Sequence, residues 1–381
     1  MSLDLNAYLA ECRALVVDEI RRVIPRDADH ARVLYDLMLD YPLREAKGLR
    51  PAICIATCRA LGGSLEAVLP SAAVLELYHN AFLVHDDVED GSERRRDAPT
   101  LHRMHGVPIA VNVGDAMLAL TLEPLLENMR TLDMGRALRI LQVISRMARE
   151  SAEGQAVELD WIRHARWDLD DDDYLRMVDK KTGWYSFIAP MWIGAIVAGA
   201  DRARAEAIAQ LGSQLGAAFQ IQDDVLNLLA HEAVYGKEIG GDLWEGKHTL
   251  ILIHLMRTLR GDELARALEI LGRPRPVGVD PDALARLART LDAFGAEGRI
   301  DPAARRAIEA ALQTPGAKTE ADVAFLAERI RARGSVGYAQ RVARDRARAA
   351  HETLASFTWM GPSVHREFLQ ALVDYVVARD R

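Results

Sequence analysis

Two pairs of adjacent aspartates each close an apolar run of this sequence. Their spacing suits one kind of chemistry, holding a hard divalent cation against phosphate oxygens. The first pair lies in HDDVEDGSERRR, residues 85–96. Asp86 and Asp90 are four apart, so on a helix they project from one face, one turn from each other, while Asp87 points elsewhere. Two carboxylates at that spacing repel unless a cation sits between them. Mg²⁺ fits there, because it accepts one or two carboxylates and takes its other ligands from phosphate and water. The plainer reading is an exposed acidic turn. Against it, the preceding Ala81-Phe82-Leu83-Val84 is apolar and calls for burial, and carboxylates at the end of a buried helix need a partner. The second pair lies in FQIQDDVLN, residues 219–227. Asp223 and Asp224 again end an apolar helical run, and Asn227 stands where a third carboxylate could stand. Gln220, on a neighbouring face, could donate to a phosphate oxygen. If the two helices face each other in a bundle, the acids meet at one mouth and can share several ions.

Cations accompany both clusters. Arg95 and Arg96 follow the first, and Lys237 and Lys247 follow the second. Lys181-Thr182 opens an uncharged stretch, and Lys47 and Arg50 precede a helix beginning at Pro51. Each alone reads as an ordinary surface charge. Together they supply enough positive charge for two diphosphate groups.

The elements that must position these residues read as helix almost throughout, which makes the fold class all-α. Apolar residues recur at helical spacing over 5–24, 67–90, 108–130, 136–160, 203–229 and 247–260. Alternating β patterns, Asn-Gly hairpin turns, Gly-x-Gly-x-x-Gly and P-loop patterns are missing. Thr182 to Ala200 carries no charge and approaches membrane-spanning length. Pro190, Ser186, its glycines and the Lys180-Lys181 pair directly ahead make it a fully buried helix of a large helical core instead. Composition shifts once, between RPRPVGVDPD and QTPGAK. The segment at about 272–318 reads as a helical hairpin inserted on the main domain, with helical stretches at about 281–293 and 302–312. The 381 residues otherwise read as one domain, 1–381.

Composition excludes several functions. A net charge of −8 gives the chain no general attraction for nucleic acid. The three cysteines, Cys12, Cys54 and Cys58, are an odd and sparse set that suits a reducing, cytoplasmic setting. Cys54 and Cys58 lack the further ligands a zinc site needs and read as buried apolar residues. The N-terminus has no basic segment followed by an apolar run, so it does not read as a signal peptide.

Taken together, these residues resemble the polyprenyl synthetase family, the trans-isoprenyl diphosphate synthases. KGLRP at 47–51 resembles the family's GKRLRP segment, with Ala46 in place of its first glycine. DDVED followed by Arg95-Arg96 resembles the first Asp-rich motif, DDxxD(x)₄RR. FQIQDDVLN resembles the second, FQxxDDxxD. Lys181-Thr182 and GKEIGGDLWEGKHTL at 236–250 also match, in the family's order and spacing from about residue 40 to 255.

The resemblance implies a single-domain helical bundle around a deep central cavity. It implies head-to-tail condensation of isopentenyl diphosphate with an allylic diphosphate (dimethylallyl, geranyl or farnesyl), in a homodimer without a membrane span. Asp86 and Asp90 would bind two Mg²⁺ ions and Asp223 a third. Lys181 and Lys247, with Arg95, would grip the allylic diphosphate. Lys47, Arg50, His79 and Arg96 would bind isopentenyl diphosphate, with Lys237 as a further substrate-binding cation. Gln220 and Thr182 would line the reaction centre. The family places floor-setting aromatics just before the first motif. Phe82 lies about 6 Å, and Tyr78 about 12 Å, deeper than Asp86 along the helix. With small Ala81 beside it, a bulky Phe82 implies a short product, C15 or C20. Departures from the pattern are Asp97 for a glycine after the arginines, Asn227 for the last Asp of the second motif, and Ile251 where Pro often follows Thr-Leu.

Rival readings are a class I terpene cyclase, a non-catalytic subunit of a heteromeric synthase, and a plain helical binding protein. A cyclase second motif, (N/D)Dxx(S/T)xxxE, fails at Asn227 and His231. A non-catalytic subunit tends to lose acidic residues, and only Asn227 points that way. The two acid pairs argue against a plain binding protein.

Overall fold

Apolar periodicity becomes helix along nearly the whole chain. The computed structural model describes residues 3–25, 29–229, 240–276, 281–312 and 316–378. Helix α1 (Leu5–Val23) starts where the Asp4 carboxylate accepts the backbone N–H groups of Asn6 and Ala7. Short helices α2 (Arg32–Met38) and α3 (Asp40–Leu43) lead to α4 (Leu49–Ala60). Helix α5 (Leu65–Glu89) starts at Ser64, whose Oγ accepts the N–H of Ala67 at 3.1 Å. Its side chains are apolar nearly all round, so it runs buried between α4, α1 and α7 (Val107–Leu120). It delivers Asp86 and Asp90 to its C-terminal end.

Two strands of two residues each follow α5, β1 (Arg94–Arg95) and β2 (Ala98–Pro99), paired antiparallel. A ladder this short carries no alternation, so the sequence gives no sign of it. The turn between them holds Arg96 at φ 53° and Asp97 at φ 60°. Asp97 thus stands in the left-handed region, where its short polar side chain is tolerated but glycine fits best.

Beyond α6 (Leu101–His105), the single helix expected over 108–130 is divided at Thr121 into α7 and α8 (Leu122–Thr131). The Thr121 hydroxyl donates back to the Leu118 carbonyl at 2.6 Å, a local bond that competes with the helix ladder. Then come α9 (Met134–Arg163), α10 (Asp171–Val178), a π-helical segment over Asp179–Ile188, α11 (Ala189–Val197) and α12 (Arg202–Leu229). The uncharged stretch after Lys181 is therefore π-helix passing into α-helix. It is buried at Trp184, Phe187, Ile188, Met191 and Ile193, as expected of a core element. Two glycines let its neighbours close on it. A Cβ at Gly154 of α9 would come 2.3 Å from the Lys181 backbone nitrogen, and one at Gly216 of α12 would come 2.8 Å from the Gly183 Cα.

The chain finishes with α13 (Gly241–Glu245), α14 (Leu250–Thr258), α15 (Gly261–Leu271), α16 (Pro281–Ala296), α17 (Pro302–Leu312), α18 (Glu320–Ala332), α19 (Ser335–Ser356) and α20 (Val364–Ala378). Helices α16 and α17 lie at the two stretches expected of the hairpin. Two apolar cores result. The larger gathers α1, α4, α5, α7, α11, α20 and most of α12. The smaller gathers α10, α14, α15 and parts of α18 and α19 around Ile221 and Val225 of α12. The first acid cluster ends a helix of the larger core, and the second sits on α12 where it enters the smaller one.

Candidate active site

In each acid cluster one aspartate turns inward and braces the structure. Asp87 is fully buried; it accepts the Tyr41 hydroxyl at 2.6 Å and the Arg95 Nε at 3.0 Å. Arg95 also reaches Asp86 at 3.6 Å, so the first cluster carries its own cation. Asp224 is buried too, and accepts the Tyr174 hydroxyl at 2.7 Å and the Gln220 Nε2 at 2.8 Å. Both of its donors are neutral. Burial, and then the nearby Asp242, push its carboxyl well above the usual range.

The outward aspartates meet two lysines. Lys181 Nζ lies 3.9 Å from Asp86 and donates to Glu158, and Lys247 Nζ lies 3.6 Å from Asp90. Both lysines also line one cleft with Asp223, Asp224, Asn227 and Asp242. They therefore stand between the two clusters and place both acid pairs at one mouth, as the spacing predicts. Burial raises the Asp90 carboxyl to about 6, against the opposing pull of Lys247 and with the help of Asp86. Burial also acts upward on Glu158, but Lys181 and Lys247 outweigh it and hold that carboxyl below its ordinary value.

These residues fit Mg²⁺ in a particular way. Among the described residues, no group of three or more His, Cys, Asp or Glu side chains is arranged to hold a metal by itself. Carboxylates arranged singly or in pairs suit an ion that keeps water and phosphate oxygens as its remaining ligands.

Thr182 and Gln220, expected together at the reaction centre, are in direct contact. The Thr182 hydroxyl donates to Gln220 Oε1 at 2.9 Å, and Gln220 passes its own N–H to Asp224. Two turns back along α5 from Asp86, Arg50 lies 3.1 Å from His79 Nε2 and donates to Ser186 Oγ at 2.8 Å, with its guanidinium 4.6 Å over the Tyr185 ring. Burial and the surrounding Arg50, Arg96 and Arg95 charges lower the His79 imidazole well below its usual value, so it stays neutral. Arg96 donates to the Tyr41 carbonyl at 2.8 Å. Lys47 is exposed and donates to the Tyr375 hydroxyl on α20. Lys237 lies outside the described residues. Tyr78 packs edge-on to Phe82 at 5.8 Å, Phe82 packs edge-on to Tyr185 at 5.6 Å, and Ala81 is buried.

Sequence reasoning misses Glu158, Tyr174, Tyr41, Ser186 and Tyr185, which no motif marks. It also misses what Asn227 does. The Asn227 side-chain oxygen accepts the Asp242 N–H at 3.2 Å and its carbonyl accepts the Gly240 N–H at 2.8 Å, so it anchors the start of α13.

The chain is similar to known proteins over most of its length. The family profile described as polyprenyl synthetase matches residues 32–283. A short chain isoprenyl diphosphate synthase of Methanocaldococcus jannaschii is 35% identical over 67% of this chain and 75% of its own. A geranylgeranyl diphosphate synthase of Sulfolobus acidocaldarius is 33% identical over 70% of this chain and 78% of its own. The crystal structure of geranylgeranyl pyrophosphate synthetase from Pyrococcus horikoshii superposes with a TM-score of 0.79 at 29% identity, over 98% of both chains. A polyprenyl synthase from Caulobacter crescentus, complexed with calcium and isoprenyl diphosphate, gives a TM-score of 0.70 at 28% identity over 98% of this chain and 95% of its own. With the profile spanning most of the chain and the fold shared along its length, this protein belongs to the polyprenyl synthetase family.

Proposed function

We propose that the protein is a Mg²⁺-dependent trans-prenyltransferase that condenses isopentenyl diphosphate with an allylic diphosphate to give a C15–C20 isoprenyl diphosphate. The observation that carries this reading is the placement of Lys181 and Lys247 between Asp86, Asp90 and Asp223 at the head of the buried helix α5. The relatives named above, short-chain and geranylgeranyl synthases, support the product range.

Dimethylallyl, geranyl or farnesyl diphosphate enters with its diphosphate toward the lysines and Arg95. Asp86, Asp90 and Asp223 would hold three Mg²⁺ ions, which would supply Lewis-acid stabilisation of the leaving charge. Lys181 and Lys247 add fixed positive charge where the allylic C–O bond breaks. The Thr182 hydroxyl and Gln220 carbonyl face the electron-poor carbon, and the apolar walls of α5 keep water from it. Arg50, Arg96, Lys47 and neutral His79 hold isopentenyl diphosphate on the opposite side. Its double bond attacks and a proton is lost to the departing diphosphate. The chain then grows down α5 until it meets Phe82 and Tyr78. Lys237 completes the set of substrate cations.

The protein works as one catalytic domain, residues 1–381, carrying the hairpin at about 272–318 as an insertion. It acts in the cytoplasm as a homodimer. Exposed apolar residues on α7, α8 and α9 (Val107, Leu122, Leu126, Met134, Leu138) are candidates for its interface.

The test is incubation with isopentenyl diphosphate, Mg²⁺ and C5, C10 or C15 allylic partners, with product lengths measured. Linear C15 and C20 diphosphates are expected, and Phe82→Ala lengthens them. A cyclised hydrocarbon formed from an allylic diphosphate alone would overturn the reading.

A further inference from the structure

The hairpin at 272–318 leaves its mark on the site through its base. Its two ends are pinned together where the Lys318 N–H donates to the Pro274 carbonyl at 2.9 Å. From that neck two cations reach α13, the turn that precedes Lys247. Lys318, only 3% exposed, donates its amine to the Trp244 carbonyl at 2.8 Å. Arg275 NH1 lies 3.0 Å from Glu245 Oε1. Glu245 in turn places its other oxygen 3.2 Å from Lys247 Nζ.

That second contact matters for binding. Lys247 must turn from Asp90 and Glu245 to a diphosphate, and every carboxylate that holds it competes with the substrate. A carboxylate already shared with a guanidinium attracts a second cation less strongly, because part of its charge is neutralised and one oxygen is engaged. Lys318 fixes the peptide next to Glu245, so the shared carboxylate cannot follow Lys247 toward the cleft.

We propose that Arg275 and Lys318, at the neck of the hairpin, are positioning residues that restrain Glu245 and so release Lys247 to the allylic diphosphate. This rests on Lys247 binding that diphosphate, as proposed above. It gives the neck of the hairpin a part in the reaction.

Steady-state kinetics of the full chain test it, with each substrate varied in turn against the other. Arg275 is partly exposed, so its variants are expected to fold. Arg275→Ala raises the allylic KM by about fivefold, the scale of one partly exposed ion pair. The KM for isopentenyl diphosphate stays within about twofold under the same change. Arg275→Lys recovers most of the loss, and in a Glu245→Gln background Arg275→Ala has no further effect. An unchanged allylic KM for Arg275→Ala, or the same rise in the Glu245→Gln background, overturns the proposal. Lys247→Ala run alongside separates the two readings. If it raises the allylic KM while Arg275→Ala does not, only the role of the neck fails. If Lys247→Ala itself leaves that KM unchanged, the assignment of Lys247 fails and the proposal with it.

Discussion

The two acid clusters have the same plan and different charge balance. Each turns one aspartate inward onto a tyrosine, Asp87 onto Tyr41 and Asp224 onto Tyr174, and leaves its neighbours facing the cleft. Asp87 is answered by the full charge of Arg95, so the first cluster is complete without a ligand. Asp224 accepts its hydrogen bonds from the neutral Tyr174 and Gln220, and burial and Asp242 push its carboxyl well above the usual range. Asn227 sharpens the contrast. It brings no charge and spends its oxygen on the backbone of α13. The difference teaches that the inward acid of the first cluster is held by a charged partner, and that of the second by neutral hydrogen bonds.

The largest expected effect is on turnover. Asp90→Ala removes a cleft-facing carboxylate and is expected to lower kcat by about a thousandfold. Asn227→Ala removes only an anchor of α13 and is expected to lower it by about tenfold. Rates measured at saturating substrate and metal decide this, and the reverse order would mean the ligands are wrongly assigned.

Stability distinguishes the inward aspartates next. Asp87→Asn leaves Arg95 buried beside a neutral partner and is expected to cost about 3–5 kcal/mol in urea unfolding of the metal-free protein. Asp224→Asn replaces a buried carboxyl whose charged form burial already disfavours, and the Tyr174 hydroxyl can turn to accept from the new amide. Its expected change is within about 1 kcal/mol, in either direction. Equal losses would erase the comparison.

The pH dependence of metal binding is smaller and has a definite sign. With its carboxyl raised to about 6, Asp90 carries a proton below that pH in the metal-free enzyme. Metal must displace the proton, so Mg²⁺ affinity falls as pH drops through about 6, by at most about tenfold per pH unit. Without metal the same group has the opposite effect on stability. Its folded value lies above the unfolded one, so it lowers stability as pH rises from about 4 to about 6. Calorimetric titration of Mg²⁺ across this window, with a diphosphate present, checks the sign.

The smallest effect belongs to the turn that carries the first cluster's arginines. Asp97 at φ 60° is exposed, so Asp97→Gly is expected to raise stability by about 0.5–1 kcal/mol with turnover unchanged. Thermal unfolding at constant pH measures it.

What the sequence discloses and what it hides follow from how each signal is written. Asp86, Asp90 and Asp223 are legible because their chemistry depends on local spacing at helix ends, with Gln220 beside the second pair, while the parts expected of Lys181, Thr182 and Lys247 come only with the family resemblance. Glu158 and Tyr174 are not, because each reaches the site across a helix contact and looks in sequence like any amphipathic position. The π-helical segment over Asp179–Ile188 is hidden for another reason. Its ten residues, DKKTGWYSFI, open with three charges and then carry none, too short a pattern to separate one helical pitch from another. The short strands β1 and β2 are too brief to alternate. Lys47 is readable as a cation, but its tie to Tyr375 joins residues at opposite ends of the chain.

The most direct test of the two clusters acting together is a crystal grown with Mn²⁺ and inorganic diphosphate, with the metal located by anomalous scattering. Manganese is expected both between Asp86 and Asp90 and beside Asp223, with Lys181 and Lys247 turned onto the same diphosphate. Metal at one cluster alone with diphosphate fully bound, or diphosphate bound away from both lysines, would contradict the account.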